Sequence, residues 1–373
     1  MRVLISGYYG FGNVGDEAVL QSMVQGLRRV DPSIEITVLS VVPQLTKELN
    51  QVNAIHRFDW KKIFFTMLRT DVFVSGGGTL LQNATSTRSF LYYIGLILLA
   101  KFMRKRVVIF AQGFGPLKGI FSRTLARMVL NRVDLITLRD RVSYREIARL
   151  GVRKPKIYVT ADPSLILKTP PVKEGQKVLG LEGVRSGRPL LGIAVRDVPR
   201  NKEEKIYKSL AQVIDWLAQE HKYSPVFVLF QCPQDMQETS KVINHMQEKS
   251  SVIFRMCRPE EMLALISNFD LLIGMRLHSL IFAAMNQVPM LGIAYDPKVR
   301  SFMKKIEQRC LSLNEGSDHR HLKVILEKIH KNKREIASLL RAKKKGIFDQ
   351  ASLNFSVFAD YLKPRPKLQE TKK

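Results

Sequence analysis

Residues Ile5–Leu20 read ISGYYGFGNVGDEAVL. An apolar run, Val3 to Ile5, leads into a G-x-G-x-x-G at Gly10, Gly12 and Gly15, and a helical pattern follows. Strand, glycine turn and helix form the opening unit of a doubly wound α/β fold, where the glycines often hold a dinucleotide pyrophosphate. Two features oppose a dinucleotide. The acid that would hold its ribose belongs near the end of the second strand, yet Glu35 begins that strand and Leu39-Ser40 ends it. Asp16 and Glu17 stand at the helix start, where their charge complements the dipole and repels a phosphate. Two readings of the acids stay open. One is a helix cap, which Asp16 can supply alone. The other is a carboxylate at the mouth of a sheet, suited to holding or deprotonating a hydroxyl, with Asn13 and Glu17 beside it.

Similar short apolar runs recur along the 373 residues. Six strands are predicted in the first half, at 2–6, 35–40, 71–75, 106–112, 134–139 and 156–161, the glycine pieces between them being read as turns. The second half shows runs at 190–196, 225–231, 252–256, 270–275 and 288–295, with a weaker one near 310–313. Continuous apolar runs alternating with helices indicate parallel sheets covered on both faces. The fold class is therefore α/β, with two Rossmann-like doubly wound domains facing across a cleft. Residues 1–168 are read as the first domain, 169–189 as a Pro- and Gly-containing linker, and 190–345 as the second. Residues 346–373 are read as a terminal helix and a frayed basic tail.

The chain carries 60 Lys and Arg against 33 Asp and Glu, a net charge of +27. Such a charge calls for nucleic acid, an anionic membrane surface or a strongly anionic substrate, unless it is simply a basic surface. The basic residues are spread through helices and tail without an aromatic-interleaved platform, which argues against nucleic acid. Three cysteines without metal-ligand spacing read as a reduced cytosolic chain. The N-terminus enters a strand at once, so no secretory leader is expected. The most apolar stretch, SFLYYIGLILLA, is too short to span a bilayer and is predicted to be a buried helix. Asp59–Thr70, aromatic and basic, has the composition of an interfacial helix or of an ordinary helix packed on its sheet.

Ligands of such sheets bind outside the carboxyl ends of the strands, so the loops there are the places to search. SGGGTLLQN, from Ser75 to Asn83, sets Gly77 and Gly78 beside the neutral groups of Thr79, Gln82 and Asn83, which suits a sugar better than a phosphate. Arg139 and Arg196 end strands and are reasonable anion ligands. The sharpest element is MRLHS, where Arg276, His278 and Ser279 open a helix, followed one strand later by Lys298 in YDPK. Two fixed cations, an imidazole and a helix N-terminus make a site for a compact, highly charged anion.

The pieces GYYGFGNVGDEAVL, SGGGTLLQN, AQGFGPL, TLRD, VTADP and MRLHSLIFAA with YDPKV, in this order, resemble the polysaccharide pyruvyl transferase family, in particular its bacterial cell-wall branch. One departure is Ala111, where such proteins commonly carry glycine; no functional consequence is expected of it. The resemblance implies a glycosyltransferase-B-like fold, with phosphoenolpyruvate as donor and co-substrate and no cofactor or metal. It implies a sugar acceptor, lipid-diphosphate-linked and ending in N-acetylmannosamine, and a 4,6-pyruvyl ketal product. On that reading Arg276, Lys298 and Ser279 hold the donor, with Arg139 and Arg196 as further contacts. His278 is the proton donor and Asp16 the acceptor's base, while Asn13, Glu17, Gly77, Gly78, Thr79, Gln82 and Asn83 line the acceptor side. The chain is then expected to be cytoplasmic and peripheral on the inner face of the membrane, docking through Asp59–Thr70, Lys101–Arg106 or Leu322–Lys345. The rival reading is a nucleotide-sugar glycosyltransferase on the same fold, for which Glu260, Glu261 and Asp270 could serve the ribose.

Overall fold

A computed structural model describes residues 1–84, 86–184 and 187–363. The tail KPRPKLQETKK lies outside them from position 364 on. In the first half β1 (Arg2–Ser6), α1 (Val14–Val30), β2 (Glu35–Ser40), α2 (Pro43–Asn50), β3 (Asn53–His56) and α3 (Trp60–Arg69) are followed by β4 (Val72–Ser75) and β5 (Gly78–Leu81). Then come α4 (Thr87–Phe102), β6 (Arg106–Phe114), α5 (Ile120–Leu130), β7 (Leu135–Leu138), α6 (Arg141–Arg149), β8 (Lys156–Val159) and a 3-10 turn at Pro163–Ile166. The second half holds α7 (Val172–Leu181), β9 (Leu190–Ala194), α8 (Arg200–Glu220), β10 (Ser224–Val228), α9 (Gln234–Ile243), β11 (Ser251–Ile253), α10 (Pro259–Ile266) and β12 (Leu271–Gly274). It closes with α11 (Leu277–Met285), β13 (Met290–Ala294), α12 (Pro297–Lys305), β14 (Cys310–Ser312), α13 (Leu313–Gly316), α14 (His319–Lys331) and α15 (Lys333–Leu362).

Both sheets are parallel and doubly wound. The first runs β3-β2-β1-β4-β6-β7-β8 with β5 on β6, the second β11-β10-β9-β12-β13-β14. Strand order reverses between β1 and β4 in one and between β9 and β12 in the other, which is where such sheets open a ligand crevice. Central strands β4, β7, β9, β12 and β13 are buried throughout, as strands covered on both faces must be. Three apolar layers hold the molecule. One joins α3, α4, α5 and α6 to the outer face of the first sheet, and one joins α8 and α14 to the outer face of the second. The largest lies between the sheets and is shared by α1, α10, α11 and the far half of α15. The two halves are thus cemented by apolar contact and share one interior.

Several expectations from the sequence change here. The first sheet has eight strands. β3 was hidden because Asn53 and His56 interrupt its short apolar pattern. β5 was hidden because its glycine was read as a turn: Gly78 pairs with Gln112 and Leu81 with Phe114. AQGF likewise continues β6, past a register shift at which Ala111 takes the left-handed φ of 49°. Glycine is at ease in that region and alanine is not, which gives a backbone reason for the glycine that the resemblance led us to expect there. The segment read as a linker carries α7, which packs on α10, with Gly175 against the Ala264 carbonyl. α15 crosses back to the first domain. Its Asn354 accepts from the Thr160 hydroxyl at 2.8 Å, and Phe355 packs on Gly26 and Phe110.

Candidate active site

The loops after the switch-point strands meet face to face. α1 begins where β1 ends, and its N-terminal turn touches the second domain: Val14 N–H donates to the Phe230 carbonyl at 2.8 Å, and Asn13 bridges to Gln231. α11 begins where β12 ends and brings His278 against Gly15. A methyl group on Gly15 would overlap the imidazole ring, so the third glycine of the G-x-G-x-x-G admits the other domain's histidine. Between the two loops lies a cleft of about 810 Å³.

Ten of the fourteen residues singled out from the sequence line this cleft: Asn13, Asp16, Gly78, Thr79, Gln82, Arg139, Arg196, Arg276, His278 and Lys298. Four do not. Ser279 is fully buried and donates its hydroxyl to the Arg276 carbonyl at 2.7 Å, closing the first turn of α11. Glu17 turns away and accepts from Gly10 N–H at 2.7 Å, beside a separate pocket with Arg258 and Glu260. Asn83 ties two loops, accepting from Lys118 N–H and donating to the Ser122 hydroxyl. Gly77 packs on Val19 of α1. All four are polar or small residues spent on internal hydrogen bonds or packing, which spacing alone does not separate from ligand contacts. The cap of α1 also differs from expectation. Asn13 supplies it, accepting from Gly15 and Asp16 N–H, and the Asp16 side chain is left to face the cleft.

Asp16 lies opposite Gly78, whose φ of 94° only glycine adopts freely; a Cβ there would approach Asp16 Oδ1 to 3.2 Å. Burial pushes the Asp16 carboxyl up to about 6, against the pull of Lys298 and Arg139. Across the cleft, burial pushes the His278 imidazole down to about 4, and Arg139, Lys298 and Arg276 add to the fall while Asp162 opposes it. At neutral pH the unliganded cleft therefore holds an ionised Asp16 and a neutral His278. His278 was expected to be a proton donor; in the unliganded cleft its imidazole is held neutral, first by burial and then by the surrounding cations.

The cations were read from sequence as anion ligands, and each already has a carboxylate beside it. Arg276 grips Asp235 with two nitrogens and donates to Gln231 Oε1 at 3.2 Å. Arg139 pairs with Asp162 at 3.3 Å and donates to Thr79 Oγ1 at 2.8 Å. Arg196 pairs with Asp197 and lies 3.7 Å above the Tyr295 ring, while Lys298 pairs with Asp296 at 3.4 Å. Lone buried cations repel one another, and these acids hold them in place until a ligand competes. Asp162 also faces the imidazole, 3.7 Å from His278 Nε2. Burial pushes its carboxyl up, but His278, Arg139 and Ser164 bring it below its ordinary value. The residues that sequence reasoning missed are Asp162, Asp235, Gln231, Tyr8 and Tyr295. Asp162 was visible in VTADP at a strand end; Asp235 and Gln231 carried no signal because nothing local marks them as partners of Arg276.

Two parallel α/β sheets meeting at their switch points over a charged cleft define the glycosyltransferase-B-like fold. Solved structures agree on the fold. HepE of Anabaena, in complex with UDP and glucose, superposes with a TM-score of 0.65 at 12% identity over 97% of this chain and 99% of its own. The UDP-GlcNAc 2-epimerase of Neisseria meningitidis, bound to UDP-GlcNAc, gives a TM-score of 0.65 at 10% identity over 96% and 100%. Residues 13–297 match the model of the polysaccharide pyruvyl transferases, and the chain belongs to that family. The amylovoran biosynthesis protein AmsJ of Erwinia amylovora is 22% identical over 363 residues, 82% of this chain and 86% of its own. The protein is a transferase of polysaccharide biosynthesis.

Proposed function

We propose that the cleft transfers the pyruvyl group of phosphoenolpyruvate onto two hydroxyls of a sugar, forming a cyclic ketal and releasing phosphate. The observation that carries this reading is the pairing of Asp16 and His278 across one cleft, with Arg139, Arg196, Arg276 and Lys298 around them. The proton balance of the reaction asks for such a pair. Two hydroxyl protons leave the sugar; one ends on the vinyl carbon, which becomes a methyl group, and the other on the departing phosphate. Ionised Asp16 accepts from the first hydroxyl. The donor brings nearly three negative charges; set among the cations, they offset the field that depresses His278 and raise its basicity, so that it can carry a proton. His278 then protonates the vinyl carbon or the leaving phosphate, and Arg276 and Lys298 hold the carboxylate and phosphate. Asp162, beside His278, steadies the imidazolium as it forms.

The acceptor side offers the neutral groups of Gly78, Thr79 and Gln82 beside Asp16, which suits a sugar, and the reading takes as acceptor a lipid-diphosphate-linked saccharide ending in N-acetylmannosamine. Such a reaction places the chain in the cytoplasm at the inner face of the membrane, with no cofactor beyond the donor. The test is incubation with phosphoenolpyruvate and a mannosaminyl acceptor. Phosphate release matched by one pyruvyl gain supports the reading. Glycosyl transfer from a UDP-sugar, with no reaction of phosphoenolpyruvate, sinks it in favour of a glycosyltransferase.

A further inference from the structure

α4 is apolar on all sides, and such a helix belongs in an interior. Its inner face obeys: Phe90, Ile94 and Ile97 are buried against the first sheet. Its outer face does not. Leu91, Gly95, Leu98 and Phe102 follow one another at helical spacing, and all four are exposed, Phe102 by 85%. The sequence reading of this stretch as a buried helix is thus half right. Its two neighbours share the peculiarity. α5 opens with Ile120 and Phe121, exposed by 86% and 70%. α3 turns Ile63 and Met67 inward while Trp60, Phe64, Phe65 and Leu68 stay exposed. The three helices lie in one layer over a common core: α4 packs on α5, and Trp60 meets Tyr92 of α4 edge-on. Apolar residues on one face of one layer form a patch that soluble proteins seldom leave bare.

The charge around the patch says what covers it. Residues 58–128 contain eleven Lys and Arg and two Asp. Both acids are engaged: Asp59 caps α3 and pairs with Lys62, and Asp71 accepts from Arg2 N–H. A second copy of the chain, docked face to face, would set this basic field against itself. An aliphatic stripe such as Leu91, Leu98 and Phe102 offers no stacking platform for nucleic-acid bases. Aromatic and aliphatic side chains ringed by an excess of cations, of which Lys62 and Lys101 are paired with Asp59 and Asp134, suit an anionic bilayer, where rings enter the headgroup boundary and cations meet lipid phosphates. No described helix is long and apolar enough to cross a membrane, so contact is along the surface. The basic stretch 322–345 lacks this combination, since Leu322, Leu326, Ile329 and Leu340 are buried in the protein. We infer that the outer face of α3, α4 and α5 docks on an anionic phospholipid bilayer. The face adjoins the cleft: Ser89 on α4 and Pro116, just before α5, both line it. Docking there brings the acceptor side to the lipid surface, and it does so whatever group is transferred.

Flotation of the full chain with phosphatidylcholine vesicles, with and without phosphatidylglycerol, tests this with no substrate present. The chain is expected to float with the phosphatidylglycerol vesicles only, and added salt to release it. Leu98→Glu/Phe102→Glu, on exposed positions, is expected to lower binding about tenfold or more while melting like the wild type and keeping turnover on a soluble acceptor. A second variant, Phe64→Ser/Phe65→Ser, checks the same face from α3. Equal flotation of wild type and both variants overturns the assignment. So does failure to float combined with a dimer in sedimentation that the same substitutions break. Because flotation needs no turnover, its failure leaves the transfer reading intact, and failure of transfer leaves docking intact.

Discussion

The two strand-to-helix turns that face each other in the cleft both follow a switch-point strand, and they carry opposite charges, Asp16 and Glu17 on one and Arg276 on the other. After β1, the turn from Gly7 to Asn13 delivers Asp16 on a helix capped by Asn13. After β12, Met275 and Arg276 deliver His278 on a helix with no side-chain cap, whose first turn is closed by Ser279. One turn offers a carboxylate raised by burial yet ionised at neutral pH, the other an imidazole held neutral. Neither makes a site alone. The difference teaches that the proposed chemistry needs the seam between domains, and that Gly15 is the contact on which the seam closes.

The largest expected effect comes from removing either side of that pair. His278→Ala and Asp16→Asn are each expected to cut turnover by about 10² to 10⁴-fold, while calorimetry shows the fold retained. Near-normal turnover in either would break the pairing. Next comes the seam itself. Gly15→Ala sets a methyl group into the space of the imidazole, and is expected to destabilise by about 1–3 kcal/mol and to lower turnover together with thermal stability. A wild-type melt and rate for Gly15→Ala would show that the seam is looser than described.

A smaller, pH-dependent effect separates the two acids of the first turn. Burial raises the Glu17 carboxyl to about 7, with Gly10 N–H opposing and Asp16 adding. The folded state therefore prefers protonated Glu17. That preference stabilises fully below the ordinary carboxylate range and is lost as pH rises through 7. Glu17→Gln keeps an acceptor for Gly10 N–H and removes the ionisation. It is expected to raise Tm at pH 8 by roughly 2 °C, to change little at pH 4, and to leave turnover intact. An equal shift at both pH values would contradict the burial argument. The smallest effect is at the β6 bulge, where Ala111→Gly relieves a left-handed alanine and is expected to stabilise by up to about 1 kcal/mol, read by denaturant titration.

Much of this was legible in the sequence because the signals were local. Apolar runs fixed by burial on two faces announced the parallel strands, and strand ends announced Asp16, Arg139, Arg196, Arg276 and His278. What stayed hidden was non-local. Asp235 matters only because α9 lies under Arg276, and Asp162 only because α11 brings His278 to it. Turn residues misled for the opposite reason. Ser279, Glu17 and Asn83 have the chemistry of ligand contacts but spend it on other groups of the protein. The exposed stripe of α4 was invisible for want of any polar marker: a buried apolar helix and a bilayer-facing one read the same.

The claim that rests on all of these is that the seam moves a proton from a sugar hydroxyl to the vinyl carbon of phosphoenolpyruvate. Its most direct measurement is the mass of the acceptor after reaction in deuterated water. The account predicts a gain of one pyruvyl group carrying one deuterium in its methyl, with one phosphate released. An acceptor unchanged by phosphoenolpyruvate, or one that gains a glycosyl group from a UDP-sugar instead, would contradict it.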